Sequence, residues 1–138
     1  MITKIFLVIT AIIYGGLGGW ALIDPVSFVN EVGLTINSSL GSSEIRSVYG
    51  GINLLIGLFA LATVFQNKHE ELFMKVLIFI IIGILLGRVV SLIFGELNSA
   101  FLWSFVAFEL VWFATLYLHL NQMKKRSEEH TSELQSPL

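Results

Sequence analysis

Two ionisable residues lie inside apolar stretches of the sequence, Arg88 in IGILLGRVVSLIFGE and Glu109 in FELVWF. An unpaired charge near the centre of a bilayer costs about 2.5 to 3.5 kcal/mol, so we predict that Arg88 and Glu109 form an ion pair. Buried ion pairs seldom stabilise more than apolar side chains that fill the same space. The pair therefore favours a binding function, and a purely structural ion pair is the alternative.

A second group of polar residues begins another apolar run. Arg46, Tyr49, Asn53 and Gly57 follow the spacing of one face of an α-helix. We expect the arginines to attract an anionic or carbonyl group, and Tyr49 and Asn53 to supply directional hydrogen bonds. The alternatives are an aromatic-belt position for Tyr49 and a flanking headgroup charge for Arg46. The candidate ligand-binding residues are Arg46, Tyr49, Asn53, Arg88, Ser91 and Glu109.

Small residues recur at helical spacing in several of the apolar runs. Gly15 and Gly19 are four residues apart, and Gly83 and Gly87 begin a similar stripe. Such stripes let membrane helices approach closely, and close packing is a more common outcome than a ligand slot. The glycines predicted to serve packing are Gly15, Gly19, Gly50, Gly51, Gly57, Gly83 and Gly87.

The sequence predicts no catalytic residue and no metal or cofactor site. Cysteine is absent, which excludes disulfides, thiolate catalysis and iron–sulfur ligation by this chain. His69 and His119 have no second ligand at helical spacing, and there is no phosphate loop and no serine–histidine–aspartate set. Enzyme activity of this chain alone is therefore disfavoured.

The overall composition is that of a membrane protein. Of the 138 residues, 55% are hydrophobic and 13% are charged, and the mean hydropathy is +0.82. As helices, four apolar runs would each reach roughly 27 to 29 Å, about the hydrocarbon thickness of a bilayer. These runs are residues 5–23, 48–65, 76–94 and 100–118. We predict an all-α fold, an integral membrane four-helix bundle.

The distribution of positive charge predicts how the helices cross the membrane. Lys4, Lys68, Lys75, Lys124 and Lys125 lie on the side of the N-terminus, and only Arg46 lies on the other side. Because positively charged segments stay in the cytoplasm, we predict cytoplasmic termini in a bacterial inner membrane. A cleaved signal peptide is the alternative for the first run, but the run continues through YGGLGGWALI without a convincing cleavage site.

The longest connection, residues 24–44, contains a predicted short interfacial helix. Asp24 has the residue type of an N-cap, Pro25 suits the first helical position, and Gly33 suits the terminator. The apolar face of this helix would lie on the membrane surface or fold over the mouth of the bundle. That face consists of Phe28, Val29 and Val32.

The C-terminal segment RSEEHTSELQSPL, residues 126–138, is polar and resembles the translation of a widely used sequencing-library adapter. We therefore interpret residues 126–138 as a non-native, disordered tail and residues 1–125 as the four-transmembrane-helix domain. Without the tail the chain has seven basic and seven acidic residues. The formal charge of −2 thus gives no indication of a nucleic-acid partner.

Several segments resemble one family of small bacterial four-span membrane proteins, called domain of unknown function 4345. They are EIRSVYGGINLLIG, GRVVSLIFGE and FELVWF, together with DPVSFVNEVG in the first connection. The resemblance runs from about Tyr14 to Leu118. It implies that Glu44, Arg46, Tyr49, Gly50, Gly51, Arg88 and Glu109 occupy the polar pattern of the family. It implies no chemistry, and a looser similarity to DoxX-like proteins is an analogy of fold.

Three functions are consistent with these features. The first is binding of a small amphiphile or a partner helix in a polar intramembrane cavity that opens toward the periplasm. The second is an accessory subunit of a membrane redox complex, with the small-residue grooves as partner surfaces. The third is a proton-coupled transporter with Glu109 as proton carrier, which would require a homodimer because four helices are few.

Overall fold

The computed structural model describes residues 2–135, with the side chains of these residues except 101 and 132–135. Within that range the protein is all-α. Four helical segments of the described part are long and apolar enough to cross a membrane, which confirms the predicted class. They are Ile2–Ile23, Ser39–Phe65, Asn67–Ile93 and Leu102–Thr131.

The chain divides into two compact units, Met1–Glu70 and Glu71–Leu138. The elements are α1 (Ile2–Ile23), α2 (Pro25–Glu31), α3 (Ser39–Ile45), a π-helical segment (Arg46–Ile52), α4 (Asn53–Phe65), a 3₁₀ turn (Asn67–His69), α5 (Glu70–Ile93) and α6 (Ala100–Gln135). The helices extend beyond several of the predicted boundaries, because a helix can continue into polar sequence where its apolar run ends.

In the first unit, α1 packs antiparallel against the second span through glycine. A Cβ atom added at Gly18 would lie 2.8 Å from the carbonyl oxygen of Gly50, and one added at Gly57 would lie 2.7 Å from the Cα atom of Gly15. The contact is therefore made largely by backbone atoms, which cannot rotate away as side chains do. Close backbone approach of this kind favours helix association in membranes, where apolar burial contributes little.

One of the two α1 glycines that were predicted to pack against another helix does not lie at the contact with the second span. Gly15 lies at the contact with the second span, whereas a Cβ atom added at Gly19 meets no described atom within 4 Å. Gly18 takes the predicted place of Gly19, since neighbouring residues point about 100° apart around a helix. Gly51 is also peripheral, because the nearest atom to its added Cβ is the Arg46 carbonyl oxygen at 3.8 Å.

A π-helical segment joins α3 to α4 within the second span. It covers the seven residues RSVYGGI, Arg46–Ile52. Its hydrogen bonds link residue i to i+5, so each turn holds more residues than an α turn. The prediction that Arg46, Asn53 and Gly57 share one face assumed an uninterrupted α-helical repeat, and this segment breaks that repeat. Short π segments are frequent at functional sites.

The short helix α2 forms where it was predicted. The Asp24 side chain accepts a hydrogen bond from the Ser27 amide at 3.1 Å, and Pro25 is the first helical residue. Gly33, with φ +80°, ends the helix, and the Leu34 amide donates to the Val29 carbonyl at 2.8 Å. This is the Schellman arrangement, in which a left-handed glycine lets the last carbonyls be satisfied.

α2 folds onto the C-terminal end of α1. Ala21 of α1 is buried with Phe28 and Val29 of α2, and Leu17, Ile36 and Ile45 pack against this cluster. The Trp20 and Phe28 rings meet edge to face with centroids 5.4 Å apart, and the Trp20 indole donates to the Ser27 hydroxyl at 3.2 Å. Val32, the third predicted member of the apolar face, is 39% exposed because it lies at the C-cap.

In the second unit, a tight turn connects α5 to α6. Gly95, with φ +71°, ends α5, and the Glu96 amide donates to the Ser91 carbonyl at 2.9 Å in a second Schellman arrangement. The Ser99 hydroxyl accepts from the Leu102 amide at 3.2 Å and so caps α6. The Trp103 indole donates to the Leu97 carbonyl at 3.1 Å, which ties the turn to α6.

α6 continues into the segment predicted to be a disordered tail. It is helical through Gln135, and residues 136–138 lie outside the described part of the chain. The polar composition after Lys125 predicts disorder, but polarity alone does not end a helix. No glycine or proline interrupts residues 126–135. The non-native origin of the segment stays a prediction.

Candidate functional site

The second unit contains the predicted ion pair between α5 and α6. The Arg88 Nε atom donates to Oε2 of Glu109 at 3.0 Å, and Nη2 donates to Oε1 at 2.8 Å. Both carboxylate oxygens thus accept from the same planar guanidinium. Such a bidentate contact is stronger and more directional than a bond to a lysine ammonium would be.

The helix register explains why these two side chains meet. Arg88 lies six residues before Phe94, about 9 Å back along α5 from that residue. Glu109 lies nine residues after Ala100, about 13 Å from the start of α6. The turn at Gly95 places the two helices side by side, and the long arginine stem covers the difference in depth. The structure thus shows the ion pair that the cost of an unpaired charge predicted.

The two partners differ in their exposure. The Glu109 side chain is 10% exposed, whereas the Arg88 side chain is 30% exposed. The Arg88 Cζ atom lies 5.9 Å from the centroid of the Phe105 ring, within the range of a cation–π interaction. The carboxylate therefore forms the buried side of the site, and the guanidinium forms its open side.

Phe105 was not among the predicted site residues. It precedes Glu109 by four residues on α6, so it lies on the same helix face. That spacing, together with the attraction between arginine and an aromatic ring, is the signal that could have identified it. The ring and the carboxylate together fix the direction of the Arg88 side chain.

The other α5 residues that were predicted for ligand binding or packing are Ser91, Gly83 and Gly87. Ser91 is half-buried, and in the part of the chain that the structure describes its hydroxyl makes no hydrogen bond to the ion pair. Within the second unit, a Cβ atom added at Gly83 or Gly87 has no neighbour within 4 Å. The packing role of these two glycines stays a prediction.

Arg46 lies in the first unit, at the end of α1. Its Nε atom donates to the Leu22 carbonyl oxygen at 3.0 Å. Leu22 is the penultimate residue of α1, so its carbonyl has no partner inside the helix. A cation at a helix C-terminus is also favoured by the helix dipole. Arg46 therefore caps α1, a role that the sequence did not indicate because the partner is a backbone atom 24 residues away.

Tyr49 and Asn53 also lie in the first unit. The centroids of the Tyr49 ring and the Phe28 ring of α2 are 5.7 Å apart, and Tyr49 is 40% exposed. Asn53 begins α4 and is half-buried. The convergence of Arg46, Tyr49 and Asn53 with Arg88 in one pocket stays a prediction.

The arrangement around Arg88 and Glu109 is suited to binding through an oriented cation. Glu109 positions the guanidinium through two hydrogen bonds, one to each carboxylate oxygen. Among the described residues, no group of three or more His, Asp or Glu side chains could hold a metal ion.

Comparison with known proteins gives a family match along most of the chain. The family model described as Domain of unknown function (DUF4345) matches residues 2–120, which include the two ionisable residues of the site. No curated protein and no solved structure matches the chain. Because the matched region extends from the start of α1 far into α6, the protein belongs to the DUF4345 family.

Proposed function

We propose that this protein is an integral membrane protein that binds a small amphiphile, with the anionic or carbonyl head of the ligand at Arg88. The observation that carries the proposal is the bidentate pair in which Glu109 is nearly buried while the Arg88 side chain remains 30% exposed. The carboxylate holds the guanidinium in one orientation before a ligand arrives. Preorganisation of this kind lowers the entropic cost of binding.

The surroundings of Arg88 favour an amphiphile over a small polar solute. Arg88 is flanked on α5 by apolar residues, and Val89, Val90 and Leu92 are all exposed. A ligand with an acyl or isoprenoid chain would cover such apolar side chains while its polar head accepts hydrogen bonds from the guanidinium.

A photoreactive fatty acid tests this proposal. In nanodiscs, the wild-type protein is expected to be labelled on α5 or α6 near Arg88, and the methyl ester of the same probe should label it more weakly. Arg88→Gln is expected to weaken binding of the acid about tenfold, because a hydrogen bond to a charged group is lost. Labelling is quantified by mass spectrometry of peptides.

The matched control for charge is Lys75→Gln, which removes an exposed cation from the same helix. It should leave the labelling unchanged. The double variant Arg88→Met with Glu109→Leu removes the pair without leaving an unpaired charge, so it keeps the test informative if Arg88→Gln does not fold. Equal labelling of the wild type and the folded double variant would show that the proposal is wrong.

We further propose that both termini face the cytoplasm of a bacterial inner membrane, since five lysines lie on that side and one arginine on the other. The chain lacks cysteine, so single cysteines can report the topology. In spheroplasts, an impermeant maleimide is expected to label Thr35→Cys at once and Asn67→Cys only after lysis. Both positions are exposed in the structure. The reverse order of labelling would contradict this orientation.

A further inference from the structure

The guanidinium of Arg46 is anchored at one point and otherwise exposed. Its Nε atom donates to the Leu22 carbonyl, and Arg46 is an exposed residue. Within the described part of the chain, no carboxylate lies within 4 Å of its nitrogen atoms. The bond through Nε leaves the two Nη atoms for another acceptor, so Arg46 presents a held cation without a counter-ion among the described residues.

Aromatic residues mark the level of Arg46 relative to the membrane. Leu22, which binds Arg46, follows Trp20 by two residues on α1, and the Trp20 and Tyr49 rings both contact Phe28. Trp20 and Tyr49 are partly exposed. Tryptophan and tyrosine of membrane proteins concentrate where the hydrocarbon meets the headgroups. Arg46 is therefore expected at the depth of the lipid headgroups.

A phosphate group is a suitable partner for Arg46 at this position. The Nη edge of a guanidinium is planar and carries parallel N–H donors, which match two oxygens of a phosphate. Phosphate is also the anion that every phospholipid places at headgroup depth. The exposed rings of Trp20 and Tyr49 would contact the glycerol and the upper acyl carbons of the same molecule.

We infer that Arg46, held by the Leu22 carbonyl, forms a phosphate-binding site for a phospholipid headgroup together with the exposed rings of Trp20 and Tyr49. The residues of this site all belong to the first unit, whereas the amphiphile site is proposed on residues of the second unit. A role as a helix cap alone would use only Nε and would make no distinction between lipids. The two roles therefore give different results in a binding experiment.

Native mass spectrometry of the full chain in a maltoside detergent tests the inference. Dioctanoyl phosphatidylglycerol and dioctanoyl phosphatidylcholine, which share the phosphate, are each titrated and compared with a dioctanoyl galactolipid that lacks it. Both phospholipids are expected to bind at least about tenfold more tightly than the galactolipid. Arg46→Gln is expected to remove this preference.

Lys68→Gln is the matched control, since it removes an exposed cation from the turn that follows the second span. It should keep the preference for phospholipids. Arg46→Lys retains a cation that can reach the Leu22 carbonyl but lacks the planar edge, so it should bind phospholipid more weakly than the wild type. This variant provides the test if Arg46→Gln does not fold.

Competition with inorganic phosphate shows whether the bound phosphate group comes from a lipid headgroup or from free phosphate. If it displaces the phospholipids at equal concentration, the phosphate site is supported and free phosphate is its ligand. If it does not, the headgroup of a lipid is the ligand. Tight binding of phosphatidylglycerol but not of phosphatidylcholine would overturn the inference, because net charge would then decide. Equal binding of the galactolipid, or no effect of either Arg46 variant, would overturn it as well.

Discussion

Glu109→Gln is expected to lower the free energy of unfolding by about 3 to 5 kcal/mol, the usual cost of leaving one member of a buried ion pair without its partner. The substitution keeps the size of the side chain, so the packing around residue 109 is preserved. What it removes is the negative charge that compensates Arg88, and the bidentate contact at 2.8 and 3.0 Å with it. Unfolding by denaturing detergent in mixed micelles measures the loss.

The control for this prediction is a second glutamate that pairs with a cation on the same helix. Glu71 contacts Lys75 at 2.8 Å, but both side chains are more than half exposed. Glu71→Gln is therefore expected to change the stability by less than about 1 kcal/mol. If Glu109→Gln and Glu71→Gln had the same small effect, the membrane burial of the Arg88 pair would be disproved.

Removal of both charges is expected to cost less stability than removal of one. Arg88→Met combined with Glu109→Leu should recover most of the stability lost in Glu109→Gln, because apolar residues of similar volume replace buried ion pairs at little cost. The double variant would at the same time lose the preference for an anionic amphiphile. Recovered stability with lost binding would mean that the pair serves function more than folding.

The second large loss of stability is expected from substitutions at the glycine contact between α1 and the second span. Gly57→Ala should destabilise the protein by about 1 to 3 kcal/mol, since the added methyl group meets the backbone of Gly15 at 2.7 Å and forces the helices apart. Gly18→Ala should have an effect at least as large, because its methyl group meets backbone atoms of both Gly50 and Leu54. The same detergent unfolding assay measures both variants.

Two other glycines of α1 provide the controls for these substitutions. Gly16→Ala and Gly19→Ala add a methyl group that meets no described atom within 4 Å. Because alanine favours a helix over glycine, these variants should be neutral or slightly more stable. A similar loss for Gly19→Ala and Gly18→Ala would contradict the helix rotation that the structure gives to α1.

The Arg88–Glu109 contact was predictable because energy leaves few alternatives. Each charge is costly in an apolar helix, the turn at Gly95 makes α5 and α6 neighbours, and the depths along the two helices match. The short helix α2 was predictable for a different reason, since Asp24, Pro25 and Gly33 act through rules that involve only the nearest residues. Neither prediction needed knowledge of distant contacts.

The π segment could not be predicted in the same way. The residues RSVYGGI are compatible with an α-helix, and the choice between α and π hydrogen bonding depends on how the segment packs. Here Gly50 packs so closely on Leu22 of α1 that an added Cβ would lie 2.8 Å from the Leu22 Cγ atom. The assumption of a regular helical repeat therefore placed Arg46 and Tyr49 on one face with Asn53.

The sequence by itself determined the membrane class, the four spans, the ends of α2 and the partner of Arg88, because these depend on apolar length, local capping and the cost of an isolated charge. Only the tertiary structure decided that Gly18 rather than Gly19 meets the second span, that the span contains a π segment, and that Arg46 caps α1. These features depend on how each helix is rotated and shifted against its neighbour. The spacing of residues along one chain is compatible with several such rotations, and packing of backbone against backbone selects one.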